Sequence, residues 1–361
     1  MNLWDELFPS AETTEACERL EMRLLRKHGR PLLLAPNEPK MAIECLELYP
    51  AQTNRARFAK GLLRWLWRTG LFVKTEPVQL SISRSAPFVR FLSSSANMQT
   101  GGVPPPGILT GNPAGGTQRF IILLFDAIDQ PTAIVKAGVS PASRELIAKE
   151  KTFLSNAPSD IRGIPRIRGS FESASVAAFA MEFFQGKSPR LEDQNSVASL
   201  LTSWIRPEVK ISLGEFPEWR AFASKFPQQG APQNSRHSIN AVIQHGDFAP
   251  WNIKVSGDGS WTVLDWERGR LNGIPGWDWF HYVIQTNILV RKLNTDDLVK
   301  AVELLLSSTA FKAYIEKAGI AGIARPLLLA YLLNIVEEVK PAEGLEENRA
   351  LFEALKNASG P

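Results

Sequence analysis

Apolar and polar positions along the chain follow two periods, and they switch from one to the other near the middle. Residues 119–138, RFIILLFDAIDQPTAIVKAG, hold two apolar runs of strand length on either side of a polar turn at 126–131, which predicts a pair of β-strands. IRGSFES and SVAAFAMEFF predict two more, with a turn at 172–174, and a helix from about 140 to 155 lies between the pairs. Upstream, LFVKTEPVQLSIS alternates as a strand does, and the apolar runs LLLA and MAIECLELY also read as strands. Residues 11–28 are predicted as a helix. Ser10 can cap it, acids fill its first turn, Arg23, Lys27 and His28 fill its last, and Gly29 and Pro31 stop it. A second helical pattern runs over 52–69 and ends at Gly70. From Ser188 onward helices dominate, apart from one hairpin. The densest apolar run, PLLLAYLLNIV, is too short to cross a bilayer and reads as a buried helix.

Small residues and three consecutive prolines at 93–107 mark a linker or boundary. The chain then divides into an extension over 1–95, a small β-rich part with one helix over 96–184, and a mostly helical part over 185–361.

Composition narrows the function. The 361 residues carry 41 Lys and Arg against 37 Asp and Glu, a net charge of +4. The pI near 9.0 permits anionic ligands, but so small an excess over this length is no nucleic-acid footprint. Two cysteines, Cys17 and Cys45, cannot build a disulfide framework and fit a reducing compartment. The acidic first thirty residues lack the basic and apolar parts of a secretory signal, so a cytoplasmic location is expected.

The strongest chemical signal is AVIQHGDFAPWNIKVSGDGSWTVLDWERG, residues 241–269. NIKV and WTVLDW are short strands joined by SGDGS, a hairpin turn. The hairpin sets Asn252 at its start and Asp265 at its end, side by side, and Asp247 lies on the loop that feeds it. Two carboxylates and a carboxamide oxygen around one small space suit Mg²⁺, which takes hard oxygen ligands and binds substrate phosphates. Phosphoryl transfer needs such parts: metal on the phosphates and a carboxylate to orient a hydroxyl. HxDxxxxN followed by a second Asp is the protein-kinase catalytic loop in outline.

HGDFAPWN, followed by LDWERG and GIPGWDWF, resembles the aminoglycoside phosphotransferase and choline kinase-like family. The resemblance extends over roughly 105–350 in element order and is most specific at 245–278. It implies an α+β, bilobal protein-kinase-like fold with a small β-rich N-lobe and a larger helical C-lobe, here with an N-terminal α/β extension. By position it implies Asp247 as catalytic base, His245 as a brace of the loop, and Asp278 as the buried acid that hydrogen-bonds the loop backbone. Asn252 and Asp265 would bind Mg²⁺, with Glu267 as a third acid. Lys136, at the end of PTAIVKAG, resembles the kinase lysine that contacts the α/β-phosphates, and Glu150 its partner, with Glu145 a weaker competitor. Backbone groups near Glu182 and Phe183, in MEFFQGKSP, would meet the adenine. GNPAGG, 111–116, either covers the phosphates or is only a hairpin turn. There is no Walker A pattern.

The resemblance therefore implies ATP, with GTP as the alternative, and Mg²⁺ as cofactors, and a small molecule with a hydroxyl acceptor as substrate: an aminoglycoside, amino alcohol or sugar. A surface-polysaccharide sugar or a lipid head group is the alternative acceptor. A pseudokinase is the rival of another class, and the intact set Lys136, Asp247, Asn252 and Asp265 argues against it.

Other signals weigh less. The basic helix at 52–69 is either a membrane-surface helix or a packed helix with Phe58, Leu62, Trp65 and Leu66 facing a core. The packed reading is favoured, with the extension folded against the small lobe and no membrane contact. The acids of 337–353 could meet an amine-bearing substrate or form a solvated face. Trp251, Trp266, Trp277 and Trp279 could form an aromatic cage or simply pack. His28, His237 and His281 show no metal-ligand spacing.

Overall fold

The computed structural model describes residues 4, 6–8, 17–49, 54–97, 105–111, 118–190, 193–229 and 232–358. The chain forms two units, one of residues 1–156 with 165–184 and one of 157–164 with 185–361. The fold is α+β: the first unit is built on a sheet and the second is mainly helical.

In the first unit the strands are β1 (Cys17–Lys27), β2 (Arg30–Pro36), β3 (Thr75–Ser83), β4 (Gly107–Thr110), β5 (Arg119–Phe125), β6 (Pro131–Gly138), β7 (Ile167–Glu172) and β8 (Ala177–Glu182), and the helices are α1 (Pro39–Cys45), α2 (Asn54–Arg68), α3 (Pro87–Ser95) and α4 (Pro141–Asn156). All eight strands share one sheet in the order β3-β1-β2-β4-β5-β6-β8-β7. Every pairing in it is antiparallel. β1 to β3 thus continue the sheet of the residues that follow them. One apolar cluster joins Met22, Leu24 and Leu34 to Ile122, Val135 and Ala180.

Two elements differ from the pattern reading. Residues 17–27 are a strand, not part of a helix, and 11–16 lie outside the described residues. Charges and stop signals at the ends suggested a helix, but Leu20, Met22 and Leu24 recur with period two and turn one way, toward the core. MAIECLELY begins as helix α1 rather than as a strand. Its unbroken apolar run carries no period of its own, and Pro39 in the first turn with the Glu38 carboxylate on Met41 N–H at 2.9 Å decides for helix. Of the linker at 93–107, residues 98–104 lie outside the described residues.

Helix α2 is where 52–69 places it, but its orientation is the reverse of the packed reading. Trp67 is fully buried, whereas Phe58, Leu62 and Trp65 are 77%, 48% and 63% exposed. Lys60 and Arg64 lie against Glu47 at 2.9 and 2.8 Å.

The second unit runs α5 (Gln194–Ser203), β9 (Ile205–Ser212), α6 (Pro217–Lys225), α7 (Pro232–Ser235), β10 (Ser238–Gln244), β11 (Ile253–Val255), β12 (Trp261–Val263), β13 (Arg270–Gly273), α8 (Trp277–Gln285), α9 (Thr295–Ser307), α10 (Thr309–Ala318), α11 (Ala324–Asn334) and α12 (Leu345–Ala358). Besides the β11–β12 hairpin, it holds a three-stranded sheet, β13-β10-β9, that the pattern did not show. β9, IRPEVKIS, is mostly half-exposed with charges among its apolar residues, so it carries little strand signal. Helix α11 is apolar on all sides and buried, with Leu327, Leu328 and Leu332 at 0% exposure. No single helix among the described residues is long and apolar enough to cross a membrane.

Leu34 lies on β2 at 0% exposure, in the core that β1, β5 and β6 share. Leu34→Ala should destabilise the sheet unit by about 2–5 kcal/mol. Amides of β1 and β6 should lose hydrogen-exchange protection together. Loss confined to β1 and β2 would show that they fold as a separate layer.

Candidate active site

The loop after β10 turns sharply because Gly246 sits at φ +80°. A Cβ there would meet the Arg268 Cβ at 2.9 Å and the Arg268 carbonyl oxygen at 3.0 Å, so only glycine fits. The turn presents two successive backbone N–H groups to one carboxylate. His245 N–H donates to Asp278 Oδ2 at 2.6 Å and Gly246 N–H to Oδ1 at 2.9 Å. Asp278 stands in the first turn of α8, where a negative charge is favoured. Burial pushes its carboxyl above the ordinary value, and the adjacent His245 with the two N–H bonds holds it back.

His245 is fully buried and uses both ring nitrogens. Nε2–H donates to Leu264 O at 2.7 Å, and Nδ1 accepts from Asp247 N–H at 3.2 Å. Those two partners select the Nε2–H tautomer. The ring stands edge-on to Trp266 at 4.6 Å. Leu264 N–H then donates to Asn252 O at 2.7 Å, which fixes the start of the hairpin against its end. Asn252 is buried, and its Nδ2 donates to Asp247 O at 2.9 Å and Asp247 Oδ2 at 3.0 Å. The structure thus brings His245, Asp247, Asn252 and Asp278 into one hydrogen-bonded circuit.

Asp265 follows Leu264 in the left-handed conformation, φ +66°. Its carboxylate and that of Glu267 come within 4.8 Å of each other. With its Nδ2 spent on Asp247, Asn252 keeps Oδ1 as an oxygen donor. Asp265, Glu267 and Asn252 therefore offer oxygens only, which fits a hard divalent cation such as Mg²⁺.

In the sheet unit, Lys136 is buried on β6 and its Nζ meets Glu150 Oε1 on α4 at 2.6 Å. Glu145 is exposed and pairs with Lys149 at 2.8 Å. Phe183 N–H donates to Thr132 O at 3.1 Å and continues the ladder of β6 and β8. The Glu182 side chain is exposed, 3.8 Å from Arg168. Residues 112–116 of GNPAGG lie outside the described residues.

Two weaker signals resolve as packing and surface. Trp266, Trp277 and Trp279 are buried at 0%, 4% and 5% exposure, as core aromatics are, while Trp251 is half-buried. Of the C-terminal acids, Glu337 pairs with Lys225, Glu346 with Arg349 and Glu353 with Lys356.

His281, which the motif reading passed over, lies against the candidate base. Its Nε2 is 3.1 Å from Asp247 Oδ1, an ion-pair contact turned off the line of a linear hydrogen bond. Its Nδ1 is 3.0 Å from the Tyr331 hydroxyl. Burial pushes the Asp247 carboxyl up, but the close His281 ring and its charge, with His245 and Arg268, outweigh burial and hold it below the ordinary carboxylate value. Asp278 and His281 are three residues apart on α8, so both fall on the face that meets the loop.

The sheet unit holds the buried Lys136–Glu150 pair and the second unit the braced HGD loop, the parts that the sequence resemblance implies. Residues 169–281, which include HGDFAPWN, LDWERG and GIPGWDWF, match the model of the phosphotransferase enzyme family. No curated protein matches the chain. Similar solved structures include the aminoglycoside phosphotransferase APH(3'')-Id from Streptomyces rimosus, 14% identical over 67% of this chain and 96% of that one, TM-score 0.39. A ligand-free thermostable mutant of the aminoglycoside phosphotransferase APH(4)-Ia is 11% identical over 76% of this chain and 100% of that one, TM-score 0.47.

Two outcomes check this geometry. Asp278→Ala leaves the His245 and Gly246 N–H groups without their acceptor and should cost roughly 2–4 kcal/mol in urea unfolding; an unchanged midpoint would show that the loop holds without it. His281→Ala should raise the pKa of Asp247, followed by ¹³C NMR of its carboxyl. The sign follows from the folded value being depressed. Stability from ionised Asp247 is present above the unfolded value and is lost as pH falls through the folded value. Without His281 that loss begins at higher pH; an unmoved titration would remove His281 from the account.

Proposed function

We propose that this chain transfers the γ-phosphoryl group of ATP, with Mg²⁺, to a hydroxyl of a small molecule such as an aminoglycoside, amino alcohol or sugar. The observation that carries the reading is the closed hydrogen-bond circuit around Asp247. A carboxylate oriented from both sides, by Asn252 Nδ2 at 3.0 Å and His281 Nε2 at 3.1 Å, is prepared to receive a hydroxyl. Each carboxylate oxygen keeps a lone pair for that purpose.

In the proposed step the acceptor oxygen forms a bond to the γ-phosphorus as the bond to the β–γ bridging oxygen breaks and ADP leaves. The hydroxyl proton passes to the Asp247 carboxylate, which its depressed pKa keeps ionised and available. His245 takes no proton, because both of its nitrogens are engaged in holding the loop. Asn252, Asp265 and Glu267 would hold Mg²⁺, which supplies charge neutralisation on the phosphates. In the sheet unit, Lys136 supplies a fixed cation for the nucleotide, kept in place by Glu150 at 2.6 Å. Transfer with a loose transition state asks chiefly for such positioning and neutralisation.

Asp247→Asn keeps the shape and removes the charge. It should leave Mg·ATP affinity near wild type by calorimetry and lower kcat by roughly 10²–10⁴-fold on a phosphorylated acceptor found by screening. Wild-type turnover by Asp247→Asn on that acceptor would remove Asp247 as the base. A wild-type protein that binds Mg·ATP and phosphorylates nothing across aminoglycosides, amino alcohols and sugars would favour the pseudokinase reading.

A further inference from the structure

Helix α2 carries an apolar stripe with no partner among the described residues. Phe58, Leu62 and Trp65 are spaced i, i+4, i+7, within an arc of about 60° at 100° per residue. They are 77%, 48% and 63% exposed, and the segment after the helix adds Leu71 at 58% and Val73 at 43%. Five of the eight exposed large apolar side chains of the described residues fall within 58–73, so the clustering is not the scatter of single apolar residues usual on a surface.

The helix is held so that this stripe cannot turn inward. Trp67, half a turn away from Phe58, is fully buried and packs on Phe72 with ring centroids 5.7 Å apart. The Arg23 guanidinium lies over the other partner of that pair, 4.9 Å from the Phe72 centroid. Lys60 and Arg64 are tied to Glu47 at 2.9 and 2.8 Å. The surrounding charge has one sign: residues 54–74 contain six Lys and Arg and no acid. By helical position Arg55 and Arg68 flank the stripe on opposite sides, and exposed Lys74 follows Val73.

We propose that this face docks the protein on a lipid bilayer bearing anionic head groups. Exposed Phe, Leu and Trp enter the boundary of the acyl region, and the flanking cations meet the phosphate and carboxylate groups above it. A Trp at the centre of the stripe suits that boundary, where its ring is apolar and its N–H stays wet. A second copy of this chain is disfavoured as the occupant, because pairing two such faces brings like charges together. The proposal does not depend on the identity of the phosphoryl acceptor.

The test is sedimentation of the full chain with vesicles of phosphatidylcholine alone and of phosphatidylcholine mixed with phosphatidylserine. Binding is expected to the mixed vesicles and to fall as salt rises. Phe58→Ser with Trp65→Ser should abolish it, and Arg55→Gln with Arg68→Gln should lower partitioning roughly tenfold or more. These positions are exposed, so melting temperature and Mg·ATP binding should stay at wild-type values in both variants. Quenching of tryptophan emission by bromine-labelled lipid should be strong in the wild type and largely lost in Trp65→Phe. The proposal is overturned by absence of binding to the mixed vesicles, by binding that survives Phe58→Ser with Trp65→Ser, or by self-association that this double variant removes without any vesicle binding.

Discussion

The candidate site depends on one buried carboxylate. Asp278 accepts the N–H groups of His245 and Gly246 at 2.6 and 2.9 Å, and every other contact in the circuit follows from that. Two adjacent N–H groups can converge on one acceptor only if the backbone folds back, which the φ of +80° at Gly246 allows. That fold sets the His245 ring between Leu264 O and Asp247 N–H, and Leu264 in turn holds Asn252. Asn252 closes the circuit on Asp247. A buried carboxylate is costly unless hydrogen-bonded, so the same two bonds that make Asp278 tolerable in the interior also shape the loop. Precision at Asp247 therefore comes from residues that need never touch a substrate.

The circuit also separates two histidines that look alike in sequence. His245 is held between an acceptor on one side and a donor on the other. His281 has a carboxylate at one nitrogen and the Tyr331 hydroxyl at the other, so a proton on its Nε2 is drawn toward Asp247. The first positions backbone; the second biases the charge of the candidate base. Both act through Asp247, and neither could replace the other.

Much of the site was legible because its parts are local. Residues 245–265 lie on a loop and a hairpin whose turn residues are plain, so spacing alone brings Asp247, Asn252 and Asp265 near one another. Lys136 and Glu150 were legible as the end of a strand and the middle of the next helix, and the structure sets them 2.6 Å apart. His281 was not, since its contact with Asp247 spans 34 positions and has no fixed spacing to search for. Its signal was indirect: a position one turn beyond Asp278 on the same helix face. The first strands were harder still. β1 pairs with β2 across the turn at 28–29 and with β3 across β2 and two helices, and those pairings turn a charged segment with helix-like ends into a strand.

Helix α2 shows a different limit. An amphipathic pattern states that a helix has two faces, and it does not state which one meets the protein. On α2 the choice runs against the usual rule. Lys60, whose side chain is only 19% exposed, turns inward to Glu47, while Phe58 stays at 77% exposure. Burying a Phe side chain is worth roughly 1.5–3 kcal/mol, and that gain is left unused here together with those of Leu62 and Trp65. Burying an ammonium group carries a desolvation cost that Glu47 must offset. A rotation of half a turn would place the apolar stripe on the sheet unit and return Lys60 and Arg64 to water. The buried Trp67 and the Glu47 pairs oppose that rotation, so the outward stripe is held by the fold itself. An arrangement that spends polar contacts to keep three large apolar side chains in water is explained by a partner for those side chains, and the single sign of the surrounding charge gives that partner its character.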